Sequence, residues 1–200
     1  MFSPSSERNK DPILDVFRSR MPNTGSLLEI ACGSLQHALH MAPCFPELKW
    51  HSSDISASAI ENGQVLLSQG ALPDNVIAPM YLDVLRNPWP LTDLQAVYSA
   101  NLFHISPYEV VPAFFAGARQ SIASPGDVFV YGPYKEGGKH TSGSNEEFDA
   151  DLRSRNPAWG IRDLEQVVTE ADEQQMSLCE RIQMPANNLF LHFKIRSVVV

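Results

Sequence analysis

The chain has 200 residues, 44% of them hydrophobic and 19% charged, with a formal net charge of −8; this length can form one domain with a sizeable core. Binding to nucleic acid without sequence preference needs clustered Lys and Arg, and no basic stripe occurs, so a small-molecule substrate is favoured over nucleic acid. No apolar run approaches the ~18 residues of a membrane span, and the polar N-terminus lacks the apolar segment of a secretory signal.

The predicted elements alternate between helices and strands along the chain. Helices are predicted at 11–20, 36–42, 57–69, 107–122 and 161–176, and strands at 26–30, 48–52, 76–83, 94–100, 128–131, 178–183 and 190–200. Alternation of this kind indicates βαβ units and a parallel sheet. The last two strands are joined by residues 184–188, which predicts a closing hairpin. We therefore expect one α/β domain over 1–200, with a doubly wound, mostly parallel seven-stranded sheet and an antiparallel last strand.

The segment from Gly132 to Pro157 differs from the rest of the chain, because it lacks periodicity and is rich in Gly, Ser, Asn and charged residues. A loop of this length in a compact domain is usually functional or mobile. We predict a loop on the substrate side of the protein over residues 132–160.

Residues 27–37 form the most informative run, since they predict a short buried strand that turns through Gly33 into a helix. Such a strand–turn–helix builds the nucleotide crevice of a Rossmann-like sheet. An acidic residue at the strand end, Glu29, favours a cofactor without a pyrophosphate, and S-adenosylmethionine is the first candidate. A nicotinamide oxidoreductase is disfavoured, because the chain lacks G-x-G-x-x-G.

Acidic side chains recur at the ends of the first three strands. Glu29 could accept hydrogen bonds from the ammonium group of the cofactor's amino acid. Asp54 follows the second strand, where a carboxylate can hold both hydroxyls of a ribose. Asp83 follows the third strand and could accept a bond from the adenine amino group, with Val84 beside the ring. Each carboxylate could instead cap a turn or a strand end.

Polar side chains also follow the fourth strand, where Asn101 and His104 would lie close to the transferred methyl group. Histidine has an unperturbed pKa near 6.5, so His104 is a candidate general base; a structural histidine is an equally good interpretation. The three cysteines, Cys32, Cys44 and Cys179, cannot pair completely, and their spacing suits no zinc site. We expect reduced thiols, no metal and a cytoplasmic location.

Several unusual blocks occur in order from residue 7 onward. They are Glu7–Leu14, Leu28–Gly33, Trp50–Asp54, Leu82–Val84, Asn101–Pro107, Tyr131–Tyr134, Ser144–Asp149, Leu152–Asp163 and Met184–Asn188. Together they resemble the methyltransferase-like 26 family. The resemblance implies a class I methyltransferase fold that binds S-adenosylmethionine; it supplies no substrate.

By position, the resemblance places five residues around the cofactor, namely Glu29, Gly33, Asp54, Asp83 and Asn101. It also implies that an N-terminal segment, residues 1–22, covers the crevice. Arg8 in that segment could pair with the methionine carboxylate in a bidentate way.

The acceptor would bind beside the fourth and fifth strands. His104 and Tyr134 are the candidate catalytic residues there, and Tyr131 would help to shape the pocket. Polar groups of the substrate could be held by Asn145, Arg162, Asn187 and Asn188. The same four side chains could instead tie the long loop to the sheet.

The loop departs from the family pattern, which usually reads Ser-Gly-x-Gly where this chain has Cys32-Gly33-Ser34-Leu35; Leu35 replaces a glycine that allows helix and ligand to approach. The branched side chain could point into the core, or it could reshape the cofactor site.

From these features together, we expect an S-adenosylmethionine-dependent methyltransferase that acts on the nitrogen or oxygen of a small molecule, in a biosynthetic or tailoring pathway. The alternative is a protein that binds the cofactor without methylating, either to assist another reaction or to bind a partner.

Overall fold

The computed structural model describes residues 2–196. Its helices are α1 (Pro4–Phe17), α2 (Gln36–Met41), α3 (Ala57–Ser68), α4 (Val110–Ser121), α5 (Gly143–Arg155) and α6 (Leu164–Glu173). Its strands are β1 (Gly25–Ile30), β2 (Leu48–Asp54), β3 (Val76–Tyr81), β4 (Leu94–Ala100), β5 (Ile122–Gly132), β6 (Tyr134–Glu136), β7 (Lys139–His140), β8 (Arg162–Asp163), β9 (Met176–Met184) and β10 (Asn188–Ile195). Among these residues, no helix is both long and apolar enough to span a bilayer.

Seven strands form one sheet in the order β3-β2-β1-β4-β5-β10-β9. Strand β10 runs antiparallel to both of its neighbours, β5 and β9, and every other pair in the sheet is parallel. The order reverses beside β1, which pairs with β2 on one side and β4 on the other. A ligand crevice forms at such a switch point, outside the carboxyl ends of the strands. The predicted doubly wound sheet with an antiparallel last strand is confirmed.

The sheet separates two hydrophobic cores. On one face, α4 and α6 bury side chains such as Phe114 and Val167. On the other face, α1 and α2 bury side chains such as Phe17 and Met41. The Phe17 ring lies edge-on to Tyr98 of β4 at a centroid distance of 4.9 Å, so α1 is anchored to the middle of the sheet.

Two predicted segments differ from the structure. The first helix begins at Pro4 rather than Asp11, because Ser3 caps it: the Ser3 hydroxyl accepts a hydrogen bond from the Ser6 amide. The predicted loop over 132–160 is wrong as a description of the backbone. That segment forms β6, β7 and the 13-residue helix α5. Strand β6 pairs with β7 and β8 in a second, three-stranded sheet. The last strand is described only to Ile195; the end of its predicted range, 197–200, lies outside the described residues.

Candidate functional site

A cleft of about 970 Å³ opens at the carboxyl edge of the large sheet, at its switch point. The chain segments that follow β1, β4 and β5 form its floor, and α1 and α5 contribute its walls. Its lining residues are Phe2, Ser3, Ser5, Ser6, Arg8, Asn9, Pro12, Ala31, Cys32, Gly33, Ser34, His37, Ala100, Asn101, His104, Ile105, Tyr131, Pro133, Ser144, Asn145, Phe148, Leu152, Arg155, Pro185, Ala186 and Asn188. The cleft is large enough for a cofactor-sized ligand.

Strained backbone surrounds this cleft. Three of its lining residues that are not glycine, Ala31, Asn101 and Ala186, have φ angles of 59°, 62° and 57°. Left-handed backbone of this kind costs roughly 1–2 kcal/mol per residue. Residues held in such conformations cluster at ligand sites, where the surrounding structure imposes them. Three of the seven non-glycine residues with positive φ in the described part of the chain thus line the cleft.

The loop after β1 is held by a carboxylate from the neighbouring strand. The Gly33 amide donates a 2.8 Å hydrogen bond to Asp54 Oδ2, and the Ser56 amide donates a 2.8 Å bond to Asp54 Oδ1. Gly33 has φ +53°, and a Cβ built on it would meet no atom within 4 Å. Gly33 therefore lines the cleft with open space over its Cα, which allows a ligand to approach the backbone closely.

Leu35 stands where the sequence resemblance predicts glycine, and its backbone is left-handed with φ 64°. Its side chain is fully buried in the core beneath α1 and α2. One methyl group, Cδ1, lies close to Gly63 of α3. Leu35 is not among the residues that line the cleft. The branched side chain therefore points into the core and leaves the loop open.

Glu29 lies beneath the loop rather than in the cleft, and it is 2% exposed. Its Oε2 accepts a 2.8 Å hydrogen bond from Trp50 Nε1. Burial, opposed by that hydrogen bond and assisted by the nearby Asp54 charge, raises the pKa of Glu29 to about 8. A carboxyl group that is mostly protonated at neutral pH and covered by protein does not provide the exposed negative charge that the sequence predicted.

A buried polar chain connects this floor to α1. Burial lowers the pKa of His37 to about 4, so its imidazole is neutral. His37 Nε2 lies 2.7 Å from Asn9 Oδ1, which can only accept, so Nε2 carries the proton. The Tyr98 hydroxyl therefore donates to His37 Nδ1 over 3.2 Å. Asn9 also hydrogen-bonds Tyr131. Its buried amide thus fastens α1 to two residues that line the cleft.

The carboxylates after β2 and β3 also lie outside the lining. The two oxygens of Asp54 hold the β1 loop as described above, and each keeps a free lone pair. Asp83 accepts a 3.0 Å bond from the Leu85 amide and pairs with Arg86 at 3.3 Å. Val84 is buried in the core that contains α4 and α6. The predicted convergence of three carboxylates on one ligand is not seen in the cleft lining.

His104, which follows β4, also lines the cleft. Burial, together with the positive charge of Arg162, lowers the pKa of His104 to about 4. The imidazole is therefore neutral at pH 7 and can accept a proton or a hydrogen bond. Its ring lies edge-on to Phe148 of α5 at 5.4 Å, and a Cβ on Gly132 would lie 3.5 Å from His104 Nδ1. The ring is thus held in place by apolar contacts.

Of the other predicted site residues, the structure brings Arg8, Asn101, Tyr131, Asn145 and Asn188 to the cleft. The Asn145 amide donates to the Thr141 hydroxyl and to the Asn187 carbonyl, each over 3.0 Å. It therefore ties α5 to the turn before β10, while one edge of its side chain lines the cleft. The Asn187 side chain donates to the Ser144 hydroxyl at 3.3 Å and does not line the cleft.

Two further predicted site residues, Tyr134 and Arg162, lie outside the cleft lining. Tyr134 is 2% exposed and belongs to the core that contains α4 and α6, so we correct its expected catalytic role to a packing role. Arg162 donates to the backbone carbonyls of Phe103, Ser106 and Ala158. Its guanidinium thus fixes the backbone on both sides of His104. This is the structural role that the sequence left open as an alternative to substrate binding.

A charged cluster fixes α5 over the acceptor side. Asp149 is 5% exposed; its Oδ2 lies 3.0 Å from Lys135, 3.1 Å from His140 and 3.3 Å from Arg153, and its Oδ1 accepts a 2.6 Å bond from the Ile161 amide. These hydrogen bonds outweigh the effect of burial and lower the pKa of Asp149 to about 2. One carboxylate thus joins α5, the β6–β7 hairpin and the segment before β8.

Sequence reasoning missed most of the two helical walls. Residues 2–12, which include the N-terminal part of α1, contribute Phe2, Ser3, Ser5, Ser6 and Pro12, and α5 contributes Ser144, Phe148, Leu152 and Arg155. The signals were helix caps. Ser3 precedes Pro4, and Ser142 caps α5 by accepting from the Asn145 amide; a Ser cap followed by proline or by an acidic first turn is a helix start.

Comparison with known proteins agrees with this architecture. The mitomycin 7-O-methyltransferase MmcR superposes with a TM-score of 0.79 at 11% identity, covering 96% of this chain and 54% of that chain. CalO1, a methyltransferase in calicheamicin biosynthesis solved with S-adenosylhomocysteine bound, superposes with a TM-score of 0.74 at 15% identity, covering 94% and 54%. The chain therefore has the Rossmann-like fold of class I methyltransferases and spans about half the length of these structures.

The family itself is shown by sequence. A model described as "Protein of unknown function (DUF938)" matches residues 1–195, and the chain belongs to this family. A curated relative, the ribosomal RNA small subunit methyltransferase C of Yersinia enterocolitica, is 38% identical over 64 residues, which are 32% of this chain and 18% of that protein.

Proposed function

We propose that this protein is an S-adenosylmethionine-dependent methyltransferase that acts on a small molecule. The observation that carries the proposal is the cleft at the switch point of a class I methyltransferase sheet. An open glycine loop and Arg8, for which no ion pair is found among the described residues, both line this cleft. MmcR and CalO1 share the fold and are methyltransferases by name. The finer resemblance to the methyltransferase-like 26 family and the cytoplasmic location stay predictions.

The residues at the loop end of the cleft fit the proposed cofactor. Arg8 is exposed on α1 and lines the cleft, so its guanidinium is available to the methionine carboxylate. Gly33 allows close approach of the ligand to the backbone. Asn101 can bond polar groups at the end of β4. We propose that Asp54, which has a free lone pair on each oxygen, holds the ribose. Asp83 with Val84 stays a prediction for the adenine.

The bound cofactor would supply an electrophilic methyl group on a sulfonium. The protein's own task is then to hold the acceptor in line and to receive its proton. The neutral His104 imidazole can accept that proton or orient the acceptor. Tyr131, Asn145 and Asn188 provide polar contacts around it, and we propose that they bind the substrate. The acceptor atom, nitrogen or oxygen, and a role in a tailoring pathway are part of this proposal.

Binding and transfer are tested separately. Calorimetry with S-adenosylhomocysteine is expected to give saturable binding. Incubation with the methyl-labelled cofactor and a panel of amines, phenols and carboxylates is expected to give labelled product, which His104→Asn reduces without loss of S-adenosylhomocysteine binding. Absence of binding would sink the proposal. Binding without transfer to any compound in the panel would support the non-methylating alternative.

Arg8→Gln is expected to weaken S-adenosylhomocysteine binding about 10- to 100-fold, because it removes a charge-assisted bond to the ligand carboxylate. The dissociation constant is measured by calorimetry. Arg18→Gln is the matched control, since Arg18 ends the same helix, is well exposed and lies outside the cleft. Equal effects of the two substitutions would show that Arg8 acts only through surface charge.

Leu35→Gly is expected to lower the free energy of unfolding by up to about 4 kcal/mol and to leave S-adenosylhomocysteine affinity unchanged. Loss of the buried side chain costs roughly 2–5 kcal/mol, and relief of the left-handed backbone returns roughly 1–2 kcal/mol. Urea denaturation measures the stability. A rise in affinity of tenfold or more would mean that Leu35 obstructs the cofactor site, which would revive the non-methylating alternative.

A further inference from the structure

The charge of the cleft is opposite to that of the protein. The chain has 23 acidic and 15 basic residues, yet no Asp or Glu occurs among the described residues that line the cleft, whereas Arg8 and Arg155 do. S-adenosylmethionine, which carries a sulfonium, an ammonium and a carboxylate group, adds one net positive charge there. A cationic acceptor would meet no balancing group, while an anionic acceptor would meet several.

The two arginines belong to different elements that line the cleft. Arg8 is on α1, and the proposed function assigns it to the cofactor. Arg155 ends α5, and the centre of its guanidinium lies 5.4 Å from the Trp159 ring centroid, which orients it. Its acidic neighbour is Asp151 at 3.4 Å, and both side chains are more than half exposed. An exposed pair of this kind is weak in water, so a ligand anion can displace Asp151 from Arg155.

The face of α5 that lies between His104 and Arg155 is apolar. Phe148, Leu152 and Arg155 are spaced by four and three residues and therefore follow one another along one face of the helix, and Phe148 lies against the His104 ring. An apolar body can lie along this face between His104 and Arg155. The planar fork of an arginine matches a carboxylate bidentately.

We propose that the acceptor is an apolar organic acid whose carboxylate binds Arg155 and whose nucleophilic oxygen or nitrogen faces His104. The inference rests on the proposed function and names its substrate class. It makes Arg155 the specificity-determining residue of the acceptor side. Methyl transfer to such an acceptor would form the oxygen–carbon or nitrogen–carbon bond as the carbon–sulfur bond breaks. The electron pair stays on sulfur, and the acceptor proton passes to His104 or to solvent.

The test measures binding to the protein saturated with S-adenosylhomocysteine. The probes are two pairs that differ only in charge, 4-hydroxybenzoate with 4-hydroxybenzamide and indole-3-acetate with indole-3-acetamide. At least one acid is expected to bind about tenfold or more tightly than its amide. Arg155→Gln is expected to abolish that preference and Arg155→Lys to restore it in part, while S-adenosylhomocysteine affinity stays unchanged in both variants. Arg18→Gln, outside the cleft, should keep the preference.

The outcomes separate the two proposals. Failure of S-adenosylhomocysteine itself to bind would overturn the proposed function and, with it, this inference. Normal S-adenosylhomocysteine binding with no preference for either acid, with no binding of any probe, or with a preference that survives Arg155→Gln would overturn the inference alone.

Discussion

Replacing Glu29 with Gln is expected to stabilise the protein by on the order of 3–5 kcal/mol at pH 8 and by little at pH 4.5. The buried carboxyl has a pKa raised from 4.5 to about 8, and each pKa unit corresponds to about 1.4 kcal/mol. Gln keeps an oxygen that can accept from Trp50 Nε1 and has no proton to lose. Thermal and urea denaturation from pH 4.5 to 8 measure the effect.

The sign follows from linkage. Because the folded pKa is raised, the stability that depends on Glu29 is fully present below 4.5 and is lost as pH rises to about 8. His37 and His104 have pKa values lowered from 6.5 to about 4, so their contribution is present above 6.5 and is lost as pH falls to about 4. Together the three groups predict a stability maximum near pH 6.5.

Glu47→Gln is the control for this prediction, since Glu47 is exposed and immediately precedes β2. It removes the same charge without a buried site. If the stability difference between Glu29→Gln and the natural protein is the same at pH 5 and pH 8, the carboxyl is ionised in the folded state, and the interpretation of Glu29 as a neutral group beneath the loop is wrong.

Asp149→Asn is expected to lower the free energy of unfolding by about 3 kcal/mol. The substitution leaves Lys135, His140 and Arg153 without their shared carboxylate, and removing one partner of a buried charge cluster costs roughly 3–5 kcal/mol; partial exposure of Arg153 reduces this cost. The amide oxygen can still accept from Ile161. Because the cluster holds α5 rather than the Gly33 loop, S-adenosylhomocysteine affinity is expected to stay within a factor of about two.

Asp151→Asn provides the matched control, because Asp151 is on the same helix and is 58% exposed. The free energy of unfolding of this variant is expected to differ from that of the natural protein by less than about 0.5 kcal/mol. Denaturation curves and calorimetry are run on both variants. A large loss of S-adenosylhomocysteine affinity in Asp149→Asn would show that the two halves of the cleft are not independent.

The sheet could be predicted from sequence because its strands are marked by apolar runs separated by turn residues. β4 was located without error at Leu94–Ala100, since both of its faces are buried. The helix α5 could not be predicted from sequence, because it is stabilised by charge. Phe148 and Leu152 are its only large apolar side chains, and two are too few to produce a helical period.

The candidate site was predictable only in part, for a related reason. Position along the chain indicates which residues reach the carboxyl edge of a sheet, and Gly33, Asn101 and His104 do reach the cleft. Position does not indicate which side chain is covered once the neighbouring strand is added. Trp50 of β2 hydrogen-bonds the buried Glu29, and the Gly33 and Ser56 amides each bond one oxygen of Asp54, so neither carboxyl group lines the cleft.

The placement of α1 gives a way to detect ligands before any substrate is known. Its inner face is one wall of the cleft, and it is joined to the rest by the buried Asn9 and by Phe17. A molecule that occupies the cleft bridges this first helix to the sheet. Slower amide hydrogen exchange over residues 4–17 would then report occupancy for any compound, whether or not it is methylated.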